Sequence, residues 1–109
     1  MVGYIQAYVN EGWRVSYVFD SGANNTDWLV LAWDETLPPN TDITFEVRAS
    51  NTQFYLNDAS PAWIAVGGHS PSSLSLTGQY VQWRATLSTG NIMVTPELHE
   101  VRMGYNPAP

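Results

Sequence analysis

Strict alternation of apolar and polar residues restricts this chain more than any other feature. In residues 42–49, Ile43, Phe45, Val47 and Ala49 share one parity, while Asp42, Thr44, Glu46 and Arg48 take the other. Residues 79–88 repeat the arrangement, with Val81, Trp83, Ala85 and Leu87 in phase. Successive side chains of a strand point to opposite faces, so this pattern buries one face and wets the other. No stretch beyond a few residues carries a helical period. The chain is therefore expected to be all-β.

Turn chemistry divides the alternating segments. Residues 4–9 alternate and end at Asn10-Glu11-Gly12, a hairpin signal, after which Trp13, Val15, Tyr17 and Phe19 share a parity opposite Arg14, Ser16 and Asp20. Residues 20–25 are rich in Gly and Asn, which tolerate left-handed backbone angles. Residues 28–33 form a nearly continuous apolar run, read as a strand buried on both faces. Pro38 and Pro39 mark a loop, since proline breaks a ladder. Short strands are expected at 53–56 and 63–66, with loops at 57–61 and 67–71 and a further strand around Leu74 and Leu76. A turn at 89–91 leads to a last strand near 98–105, followed by an extended, Pro-rich tail at 106–109. Seven to nine strands at such spacing describe a single antiparallel β-sandwich, a jelly roll, spanning residues 1–109.

Composition excludes several functions. Four basic residues stand against ten acidic, a formal charge of −6, and there is no lysine. Arg14, Arg48, Arg84 and Arg102 are scattered singly, whereas nucleic acid and anionic membranes require clustered cations. No apolar run is long enough to span a bilayer as a helix. There is no cysteine, so disulfides, thiolate metal sites and a cysteine nucleophile are excluded. Low charge with abundant Asn, Thr and Ser suits an extracellular or cell-surface β-domain. The start of the sequence lacks a basic and then apolar leader. Two origins are expected from this: a module of a larger secreted protein, or a small protein released by another route, such as a virion component.

Several segments carry a family resemblance. They are Asp20-Ser21-Gly22, Leu29-Val30-Leu31-Ala32-Trp33 before a Pro-rich turn, residues 43–50, residues 78–89 around Trp83, and Val94-Thr95-Pro96-Glu97-Leu98 leading to Val101. Together they resemble the discoidin-like, galactose-binding-like β-sandwich modules of bacterial and archaeal surface proteins, secreted polysaccharide-active enzymes and some phage tail proteins. The resemblance implies a jelly roll with a non-catalytic role, often sugar binding or spacing, and names no ligand. Residues 1–19 have no counterpart in it. They are expected to form an added hairpin that seals a sheet edge or meets a neighbouring subunit.

Five tryptophans and six tyrosines invite a carbohydrate reading, because aromatic faces stack on the apolar faces of sugar rings. Trp33 and Trp83 lie in phase with aliphatic strand positions and read as core. Trp13 and Trp28 are balanced between core rim and exposed platform. Trp63, beside Pro61 and shortly before Gly67, Gly68 and His69, is the best candidate for a platform. Asn57, Asp58 and His69 are candidate hydrogen-bonding partners for sugar hydroxyls, as are Asn24, Asn25 and Asp27, although each also serves as a turn former. Modules of the resembled kind often hold a structural calcium ion. Asp20, Asn24, Asp27 and Asp58 supply suitable oxygens, without the spacing of a defined calcium loop.

Catalysis has no support in the sequence. Asp34 and Glu35 are adjacent and face opposite ways on a strand, and His69 and His99 sit on separate segments with no nucleophile motif. Glu46, Arg48, Arg84 and Glu100 read as cross-strand charge pairs on a solvated face. The expected function is a non-catalytic extracellular interaction module, for carbohydrate binding or adhesion, with no required cofactor. The alternative is a structural virion protein, a capsid decoration or tail subunit. Its contacts with other copies would run through the stretch from Met1 to Val9 and the Pro-rich tail, with no sugar cleft.

Overall fold

The structure, a computed structural model, describes residues 2–4, 13–90 and 96–106. Among the described residues the alternating segments become nine strands: β1 (Val2–Tyr4), β2 (Trp13–Val15), β3 (Phe19–Asp20), β4 (Asp27–Thr36), β5 (Thr41–Ser50), β6 (Ile64–Val66), β7 (Ser72–Thr77), β8 (Tyr80–Thr89) and β9 (Glu97–Asn106). All pairings are antiparallel. One sheet has the order β1-β9-β4-β7; the other has β2-β8-β5-β6, with β3 also on β8.

This order has a simple origin. β1 pairs with β9, β2 and β3 with β8, β4 with β7, and β5 with β6. The chain is thus one long hairpin with residues 51–63 near its tip. Rolling it up brings β9 against β4 and β8 against β5, which closes the two sheets of a jelly roll. At the N-terminal end β1 lies at the edge of the first sheet and β2 at the edge of the second. Residues 5–9, nearly all of the first arm of the expected added hairpin, lie outside the described residues. The expected turn at 10–12 and the Pro-rich tail beyond Asn106 lie outside the described residues.

The core is what the alternation promised. Ile43, Phe45 and Val47 of β5 and Val81, Trp83 and Ala85 of β8 face Trp28, Leu31 and Trp33 of β4 and Val101 and Met103 of β9. Aromatic contacts tie the sheets together: Trp33 lies 4.3 Å from Phe45, which lies 5.7 Å from Trp83. At the other end Trp28, Phe19 and Tyr105 form a second cluster with centroids 4.8 to 6.0 Å apart. β4 is buried on one face only. Its register shifts between Trp28 and Val30, and Leu29 is left exposed. The apolar run had suggested burial on both faces, but the second sheet covers only one.

A bulge accounts for a further departure. Val15 opposes Arg84 and Phe19 opposes Val81, so Ser16, Tyr17 and Val18 face only Gln82 and Trp83. One extra residue flips the parity, as bulges do. Val15 therefore faces outward with Arg84, Phe19 turns into the core, and Tyr17 is 51% exposed. Buried Ser16 keeps the ladder satisfied. Its N–H donates to the Trp83 carbonyl at 2.9 Å, and its Oγ accepts the Trp83 N–H at 3.0 Å.

Turns hold the strand ends in place. Asn25 takes a positive φ of 61°. Its N–H donates at 2.8 Å to Asn51 Oδ1, which also accepts the Gln79 N–H. Gly78 sits between these segments, where a Cβ would lie 2.6 Å from the Ser50 nitrogen. Its carbonyl accepts the Trp28 indole N–H at 2.8 Å, so it cannot withdraw without breaking that bond. Gly78→Ala should therefore lower stability by roughly 2–3 kcal/mol, measured by denaturant unfolding. A loss below about 0.5 kcal/mol would show that the turn yields freely.

Candidate functional site

The tip of the long hairpin does not project into solvent. Arg48 pulls it down onto the outer face of the second sheet. By parity Arg48 belongs to the solvated face of β5, directly opposite Gln82 of β8, yet it is 1% exposed and Gln82 is fully buried. The guanidinium gathers residues 55–61 around it. Nη1 donates to the carbonyls of Asp58 and Pro61, Nη2 to those of Tyr55 and Leu56, and Nε to Gln82 Oε1 at 2.8 Å. Gln82 Nε2 donates onward to the Ser16 carbonyl at 2.9 Å. A planar cation with five donors suits this cage of carbonyls, whereas an ammonium with three donors does not. The sequence expectation of a surface cross-strand pair at Arg48 is thereby corrected: its partners are backbone carbonyls and an amide.

The same geometry explains why residues 53–56 form no strand, contrary to expectation. The Tyr55 and Leu56 carbonyls are turned toward Arg48, and Phe54 is buried against it at 4.8 Å. Asp58 closes the turn by accepting the Tyr55 N–H at 2.8 Å, while its own N–H donates to the Tyr55 carbonyl. Burial pulls the Arg48 guanidinium below its ordinary value; Asp58 opposes that pull and the nearby Arg84 adds to it.

Trp63 completes the arrangement. Its ring centroid lies 4.5 Å from the Arg48 Cζ and 4.3 Å from the Arg84 Cζ, so one indole meets two cations. Arg84 is also held by Glu46, its cross-strand neighbour, at 2.8 Å. That pair is about one-third exposed and contributes at most ~1 kcal/mol to stability, but it orients Arg84. The indole stays partly open to solvent. Beside it lies an open cleft of about 340 Å³, lined by Trp63, Arg84, Asn57, Asp58, Val15 and Leu56 among others. The groups present are an aromatic face, a guanidinium, a carboxylate and an amide. Together they can stack against a ring and hydrogen-bond polar groups on it.

Of the residues singled out in the sequence, Trp63, Asn57 and Asp58 are brought together here. His69 is exposed in the loop after β6 and does not line this cleft. Trp28 is 1% exposed and its indole N–H is taken by Gly78, so it is a core anchor and offers no platform. It borders a separate shallow cleft with Asp27 and Leu29. Asp20 Oδ1 accepts the Gly22 N–H and the Gln79 amide, a turn-forming role. Asn24 and Asp27 are exposed. Among the described residues no three His, Asp or Glu side chains gather as a metal site. No helix among them is long and apolar enough to cross a membrane.

Sequence reasoning passed over Arg84, Val15 and above all Arg48 as parts of the site. Only the parity of Arg84, in phase with Glu46 across the pair, hinted at its place. No protein-family model and no curated protein sequence matches the chain. Arg48→Met should cost about 2–4 kcal/mol in chemical denaturation, because it leaves buried Gln82 and the loop carbonyls without their donor. An Arg48→Met variant as stable as the parent would mean that the loop is held by other contacts.

Proposed function

We propose that the chain is a non-catalytic carbohydrate-binding module, with its site at the Trp63 cleft and its setting outside the cell. One observation carries this reading: a partly exposed indole, fixed over two guanidiniums, beside an open cleft edged by Asn57 and Asp58. A sugar ring offers an apolar face to stack and hydroxyls that both donate and accept. Trp63 supplies the stacking surface, Asn57 both donors and acceptors, Asp58 an acceptor and Arg84 donors. The fixed charges of the cleft are matched, since Arg84 is paired with Glu46 and the Asp58 carboxylate lies close enough to Arg48 to offset its charge. A neutral glycan therefore meets no unbalanced charge. A loop already held by hydrogen bonds favours binding as well, because little conformational freedom is lost when a ligand arrives. The galactose-binding-like resemblance agrees with this reading and supplies no ligand of its own.

A panel of neutral glycans followed by tryptophan-fluorescence titration tests the proposal. Saturable binding is expected, weakened at least about tenfold by Trp63→Ala and by Asn57→Ala. Asn57 is exposed, so its truncation leaves the fold intact. Silence across the panel, or binding that neither variant alters, would remove the Trp63 cleft as a sugar site.

A further inference from the structure

A second aromatic cleft lies on the same outer face. It has a volume of about 310 Å³ and is lined by Tyr17, Val18, Asp20, Gln53, Phe54, Tyr55, Leu56 and Tyr80. Tyr17 and Tyr55 are 51% and 64% exposed, and Leu56 is also exposed. Side chains this large and this bare are costly to leave in water without a use.

The two clefts are halves of one surface. Tyr80, Gln82 and Arg84 project from the same face of β8 by parity, and four residues of strand place Tyr80 and Arg84 about 14 Å apart. Between them Gln82 is buried and donates to the carbonyl of Leu56, so the loop crosses the sheet there as a low saddle. Leu56 lines both clefts. The bulge at residues 16–18 matters here, because it brings Tyr17 and Val18 to one cleft while Val15 borders the other. Ionic groups of the second cleft are also spoken for: Asp20 is bound by the Gly22 N–H and by Gln79.

We infer that the second cleft is a further sugar subsite, so that the ligand is a neutral oligosaccharide chain lying over the Leu56 saddle from Trp63 to Tyr55 and Tyr17. This rests on the carbohydrate reading of the Trp63 cleft and extends it from one ring to several. Tyrosine faces stack on rings, and Gln53 and the tyrosine hydroxyls meet ring hydroxyls.

Calorimetric titration with size-graded neutral oligosaccharides, from disaccharide to hexasaccharide in gluco-, xylo- and galacto-series, tests the inference. Affinity of the parent should rise with chain length. Tyr55→Ala and Tyr17→Ala should weaken the hexasaccharide roughly tenfold while leaving the disaccharide within about twofold. Among the described residues the hydrogen bonds of Tyr55 within the loop run through its backbone and its side chain is exposed, so its truncation keeps the cage around Arg48. If Trp63→Ala abolishes binding of every length while both tyrosine variants match the parent, the second subsite falls and the Trp63 reading stands. If the parent binds no oligosaccharide of any length, both fall. A parent that ignores sugars but self-associates, with Tyr17→Ala dissociating it in sedimentation, would assign the tyrosines to a protein contact instead.

Discussion

A single buried guanidinium organises the outer face of this jelly roll. Arg48 sits where the alternation of β5 calls for a solvated side chain, and water is replaced there by the carbonyls of Tyr55, Leu56, Asp58 and Pro61 and by the Gln82 amide. Burying a cation is tolerable only when its donors are met, and here both arms of the fork and Nε are met. The consequence reaches well beyond one residue. The loop at the tip of the rolled hairpin is held flat against the sheet, Trp63 is laid over Arg48 and Arg84, and two clefts open on either side of Leu56.

The network also joins parts of the chain that are far apart in sequence. Ser16 meets both backbone groups of Trp83 and accepts the Gln82 amide; Gln82 accepts Arg48; Arg48 holds residues 55–61. Core and surface are thus coupled through β8, whose inward residues Val81, Trp83 and Ala85 pack between the sheets while Tyr80, Gln82 and Arg84 shape the outer face. A polar network of this kind fixes one geometry for the loop, which a purely apolar contact of the same area would not.

The sheets were legible because alternation is a local signal. β5 and β8 follow directly from the parity of Ile43, Phe45, Val47 and of Val81, Trp83, Ala85, and the jelly roll follows from the number and spacing of such segments. The bulge at residues 16–18 was not legible, because its cause is a pairing with β8 more than sixty residues away. Trp28 was ambiguous for a similar reason: nothing near it in sequence announces that Gly78 accepts its indole N–H. Trp63, Asn57 and Asp58 stood out through their residue types and loop setting. Arg48 could not be told from an ordinary outward charge, since its burial depends on a loop that the pattern had read as strand. The clefts were hidden with it.

The claim that Arg48 holds the site together is tested most directly by hydrogen exchange on the parent and on Arg48→Lys. Lysine keeps the charge but lacks the planar fork. The account predicts that the Tyr55 and Asp58 amides exchange at least about tenfold faster in the variant, while those of β5 and β8 keep their protection. Unchanged protection of the two loop amides in a folded Arg48→Lys variant would contradict it, and would mean that the loop finds its place without the guanidinium.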